Sequence, residues 1–147
     1  MSFIFLGGSC DPTTWRADIA IPALTLTGTG FFNPQVADWS PELVAIEAKA
    51  KADASALIFI IDGQTRALAS MIEALSQAAQ GRRVFVTSMD IPDGTVIAGQ
   101  TVTGRELKDL NRARAYFLDE LGNFPSATVY GSIAEAVTAS TAYIQSL

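Results

Sequence analysis

Two carboxylates, Asp62 and Glu73, stand where an acid can do chemistry. Asp62 ends the unbroken apolar run Ala56-Leu-Ile-Phe-Ile-Ile61, and Glu73 falls in the second turn of the helical pattern that follows. A carboxylate at the rim of a crevice can act as anionic stabiliser or nucleophile, and a more enclosed one suits general acid–base work. The remaining composition narrows the chemistry. The chain has no histidine and one cysteine, Cys10. That excludes Ser-His and Cys-His nucleophile pairs, histidine-ligated metals, cysteine-cluster zinc sites and an internal disulfide. Carboxylates, hydroxyls, amides and one thiol remain, and the thiol has no histidine or nearby lysine to activate it. No metal or redox cofactor is expected.

The elements that must position these acids can be read from pattern. The run before Asp62 is rich in β-branched and aromatic residues and predicts a strand buried on both faces. After a short Gly63-Gln64-Thr65 turn, Leu68, Ile72, Leu75 and Ala79 recur at helical spacing. Upstream, Ser2–Leu6 predicts a first strand ending in Gly7-Gly8-Ser9-Cys10-Asp11-Pro12. Thr13 or Thr14 would cap a helix through Ile19, which Pro22 kinks or interrupts. Phe31-Phe32 is a minimal strand. Ser40-Pro41-Glu42 opens a helix to about Asp53. Downstream come a strand at Arg82–Thr87, a loop with a hairpin arm near Thr95–Thr103, and a helix over Arg105–Leu121. A strand at Ala127–Tyr130 and a helix capped by Ser132, with Glu135 in its first turn, complete the chain.

Strands alternating with helices predict a single α/β domain over residues 1–147, a flavodoxin-like five-stranded parallel sheet in the order 2-1-3-4-5 with helices on both faces. Ligands bind such sheets beyond the carboxyl ends of the strands, at the point where the order reverses. Here that edge gathers Gly7–Pro12, Asn33–Trp39 and Asp62–Glu73. At 147 residues with net charge −5, the chain lacks the basic footprint of a nucleic-acid-polymer binder. It also has no run long enough to span a membrane and no basic leader, so a cytoplasmic protein is expected. Apolar residues make up 49% and charged residues 17%, and mean hydropathy is +0.27. That balance predicts a homo-oligomer, with some apolar surface covered by another subunit.

Spacing alone leaves several roles open. Glu73 shares a polar stripe with Arg66, Ser70, Gln77 and Gln80 and reads as a solvated side chain. Asp62 reads evenly as a helix cap or a site acid. Met71 reads as packing, Asn33 and Asp38 as turn formers, and Trp15 and Trp39 as core-edge residues that could also stack a base. Gly7-Gly8 could cradle a phosphate, but only Arg16 is near in sequence, which favours a nucleoside over a nucleotide.

A first strand ending in Leu6-Gly7-Gly8, then Phe32-Asn33-Pro34-Gln35 with Asp38-Trp39, then Asp62 and Ser70-Met71-Ile72-Glu73-Ala74, resembles the nucleoside 2-deoxyribosyltransferase-like family. The likeness runs from about Phe3 to Val86, with a looser match at Lys108–Arg114. It implies transfer of a 2-deoxyribosyl group between nucleobases, with Glu73 as the covalent nucleophile and Asp62 as the nearest acid to assist the base. Gly8, Ser9, Trp15, Asn33, Gln35, Asp38, Trp39, Ser70, Met71 and Asn111 are then candidate substrate contacts. Asn111 or the segment Tyr143–Leu147 would reach a partner's site. Hydrolysis of nucleosides or their 5'-monophosphates, and a non-catalytic nucleotide-binding module, are the alternatives. Two departures imply a divergent branch. Gln64-Thr65-Arg66-Ala67 stands where better-known members carry a loop acid, and their aromatic hydroxyl after the first strand is missing here.

Overall fold

Strand β3, Ala56–Ile61, carries six side chains closed off from solvent, as its unbroken apolar run requires. In a computed structural model describing Met1–Leu147, it holds the middle of a five-stranded parallel sheet. The other strands of that sheet are β1 (Phe3–Gly8), β2 (Gly30–Phe32), β4 (Val84–Ser88) and β7 (Ala127–Val129), in the order β2-β1-β3-β4-β7. This is the expected 2-1-3-4-5 arrangement, with the fifth sheet strand numbered seventh in the chain. The two extra strands, β5 (Thr95–Ile97) and β6 (Gln100–Val102), form the anticipated antiparallel arm.

The helices are α1 (Ile21–Leu26), α2 (Glu42–Asp53), α3 (Leu68–Ala79), α4 (Gly104–Leu121) and α5 (Ile133–Gln145). Alternation along the strands divides the core into two layers. Phe5, Leu57, Phe59, Ile61, Val84 and Val86 pack beneath α3 and α4. Ile4, Leu6, Ile58, Ile60 and Phe85 pack beneath α1 and α5. No helix is long and apolar enough to cross a membrane.

Three local readings are corrected. Thr13 and Thr14 do not cap a helix: Thr13 donates to the Ser9 carbonyl and Thr14 to Asp18. Arg16–Ala20 instead forms a wide π-helical turn, closed by the Ile21 N–H on the Arg16 carbonyl. Pro22 then falls in the first turn of α1, where its missing N–H costs nothing. On α3 the side turned inward is Met71, Ala74 and Ala78, with Leu75 at its edge, while Leu68 and Ile72 stay exposed. The small alanines let the helix lie close on the sheet. At α5 the expected cap forms, Ser132 Oγ accepting from the Glu135 N–H, but the Glu135 carboxylate reaches back to the Gly131 N–H.

Helix α2 differs from the rest in having no fully buried residue. Its attachment comes through partly covered side chains and through Arg82. That guanidinium donates to the Lys51 and Ala54 carbonyls and to Gln77 on α3.

Candidate active site

The order of the sheet reverses between β1 and β3, so their carboxyl ends frame the crevice. Glycine makes the first of these ends possible. Gly8 lies at φ +109°, and a Cβ there would stand 2.2 Å from the Ile60 carbonyl oxygen. The turn brings the Ser9 hydroxyl onto the Asp62 N–H at 3.1 Å and the Thr65 hydroxyl at 2.7 Å.

Two buried arginines then stitch the loops. Arg16 donates to the carbonyls of Leu6, Gly8 and Ser9 and to Gln35, and lies against the Trp15 ring. Arg114, reaching up from α4, donates to the carbonyls of Asp62, Thr65, Arg66 and Met89. Neither guanidinium touches a carboxylate, and burial presses both below the usual arginine value. Their positive charge is spent on carbonyl dipoles, so the loops at this edge are held in fixed shapes. Sequence reading did not single out Arg16 or Arg114 as site-shaping residues. A signal existed for the second, because Leu110, Arg114, Phe117 and Leu121 form one buried helical stripe.

Around Arg16 a cavity of about 400 Å³ opens between Asp11–Thr14 and Asn33–Ala37. Gln35 spans it, accepting from Arg16 and donating to Asp11 and the Thr13 carbonyl, while Asn33 accepts from the Gln35 N–H. Four expected contacts, Gly8, Ser9, Asn33 and Gln35, therefore do meet at this edge. Trp15 is buried with its indole N–H on the Ser9 carbonyl, which makes it a core residue. Asp38 and Trp39 are exposed, and Met71 is in the core. Ser70 is half-buried in the first turn of α3. Asn111 spends its amide on both backbone groups of Ile91 within its own chain.

Glu73 and Asp62 are not brought together. Strand alternation sends Ile61 toward α3 and Asp62 toward the α1–α5 side. There Asp62 lines a cavity of about 250 Å³ with Trp15, Asp18, Gln64, Met89 and Ile133. Its Oδ1 accepts the Gln64 N–H at 2.9 Å, so it shapes the turn that follows β3. Glu73 rises on the opposite face, its side chain 43% exposed, with Oε2 2.8 Å from the Lys51 ammonium.

Burial raises the Asp62 carboxyl above the usual aspartate value, against the pull of Gln64, Ser9 and the two arginines. The folded chain thus holds this proton more tightly than the unfolded chain does. The group's stabilising contribution is complete below the ordinary value of about 3.9 and is lost as pH rises through the folded one. Asp62→Asn cannot ionise. Its stability relative to wild type, measured by urea unfolding, is expected to improve as pH rises from about 4 toward neutral. A difference that does not change with pH would contradict the burial effect.

An open parallel sheet in the order β2-β1-β3-β4-β7 with helices packed on both faces defines the class of the molecule, an α/β protein. Residues 2–91 match the family described as nucleoside 2-deoxyribosyltransferase like. The chain belongs to that family. No protein of curated function matches it.

Proposed function

We propose that the protein transfers a 2-deoxyribosyl group between nucleobases, with Glu73 as nucleophile. Glu73 Oε1 attacks C1' of the donor nucleoside, the C1'–N bond breaks, and its electron pair leaves with the base, which takes a proton from solvent. A ring nitrogen of the acceptor base then attacks C1', the ester bond breaks, the carboxylate is restored, and the acceptor's proton goes to solvent. The transition states are oxocarbenium-like, so an anion beside C1' lowers both barriers. The observation that carries this reading is the state of Glu73 itself. It lies within the matched residues, half-exposed on α3, with one oxygen held by Lys51 and the other without a partner in the chain. In this reading Asp62 shapes the loop and does not protonate the departing base, because it opens to the opposite face. Asn33, which lines the groove between the end of β2 and the start of α2 with Phe32, Trp39 and Glu47, is the candidate polar contact for substrate.

The test is exchange: a 2'-deoxynucleoside is mixed with a second free base and the new nucleoside is followed by chromatography. Exchange is the expected result, and its absence with every purine and pyrimidine pair would remove the reading. The exposure of Glu73 favours one alternative, hydrolysis, in which water replaces the acceptor; base release with no acceptor present would identify it.

A homo-oligomer is part of the proposal. Ile72 on α3 is 69% exposed and Trp39 68%, with Leu68, Val44 and Ile46 also uncovered on the helices that flank Glu73. A second copy of the chain seated there would cover these side chains. Light scattering at micromolar concentration is expected to give at least the dimer mass; a monomer mass would refute association.

A further inference from the structure

Glu73 has three rotatable side-chain bonds and one hydrogen-bond partner in the whole chain, Lys51. That lysine is fixed at three points. Its carbonyl accepts from Arg82, which also grips Gln77, one turn beyond Glu73 on α3. Its ammonium lies 5.4 Å from the centre of the Phe5 ring, which is stacked on Phe32 at 5.7 Å. Its head meets Glu73 Oε2, and its side chain is only 17% exposed. Exposed ion pairs are free to dissolve into water. This one is built on a fixed platform that spans β1, α2 and α3.

Resting on the reading of Glu73 as nucleophile, we propose that Lys51 is its positioning residue. Lys51 holds Oε2, leaves Oε1 for C1', and stabilises the negative charge that returns to the carboxylate when the glycosyl ester breaks. The last effect gives the arrangement a direction. Attack consumes carboxylate charge, so a paired ammonium does little for the first half-reaction beyond aiming the oxygen. Ester cleavage restores that charge beside the ammonium, which makes Glu73 a better leaving group.

Kinetics of exchange and intact-protein mass spectrometry on wild type, Lys51→Met, Lys51→Gln and Lys51→Arg test this, with Glu73→Gln as the reference for the nucleophile. Lys51→Met is expected to lower kcat roughly 10- to 100-fold. KM for the donor should fall with it, because the ester accumulates, and a deoxyribosyl adduct should persist on the variant with acceptor present, where wild type clears it. Lys51→Arg should recover most of the rate, since a guanidinium can hold the same oxygen. Lys51→Gln keeps a donor without the charge and supplies the same readout should the methionine variant fail to fold. Unchanged kcat with no adduct in the neutral variants would overturn the proposal, as would a rise in KM at constant kcat, which marks a direct contact with substrate. A wild type without turnover, matching Glu73→Gln, would instead bring down the nucleophile itself and the proposal with it.

Discussion

Glu73→Gln is expected to lower deoxyribosyl exchange at least about 1000-fold while leaving the fold intact. Glutamine keeps the length and shape of glutamate, and its amide oxygen can still accept from Lys51. In the proposed reading, what is lost is the anion that bonds to C1' and balances the oxocarbenium charge. Asp62 opens to the far side of the sheet. Stability should barely move, because a pair with a half-exposed partner contributes no more than about 1 kcal/mol. The check is exchange kinetics beside a thermal melt. Activity within tenfold of wild type, in a variant that melts normally, would exclude glutamyl catalysis. Loss of activity together with loss of folding is not expected.

Gly8→Ala is expected to have the largest effect on stability. The position pairs with Ile60 across the β1–β3 ladder, and its φ of +109° lies where side-chain-bearing residues are strained. The added methyl would stand 2.2 Å from one backbone atom of Ile60 and 2.5 Å from another. Backbone cannot swing aside as a flexible side chain can. Strain of about 1–3 kcal/mol and overpacking of a similar size sum to roughly 4 kcal/mol. For a domain of this length that is a fall in Tm of roughly 8–16 °C. The loss should extend to activity, because the turn at Gly8 delivers Ser9 to Asp62 and Thr65. A melt within about 2 °C of wild type would show that the turn relaxes without cost.

The architecture was legible because each element carried its own punctuation. The apolar run at Ala56–Ile61 could only be a doubly covered strand, and the alternation after Gly94 marked the arm. The site was legible only as a set of loops at one edge. Asp62 and Glu73 were expected side by side because both follow β3 closely, yet alternation from Phe59 and Ile61 already sends residue 62 to the other face. Helix α3 was turned wrongly for a different reason. It carries two apolar stripes, one large and one small, and packing distance rather than hydrophobicity chose the small one. Arg16 and Lys51 act through contacts distant in sequence, such as Gln35 and Glu73, which no local spacing discloses.

The lack of any fully buried side chain on α2 has a thermodynamic consequence. Local opening costs least where few apolar atoms would be uncovered, so the first turns of this helix, ahead of the anchor at Lys51, can part from the sheet while the rest of the domain keeps its packing. That opening stops at the end of the helix, where Arg82 holds the Lys51 and Ala54 carbonyls, while the loops after β3 are pinned by a guanidinium on four carbonyls.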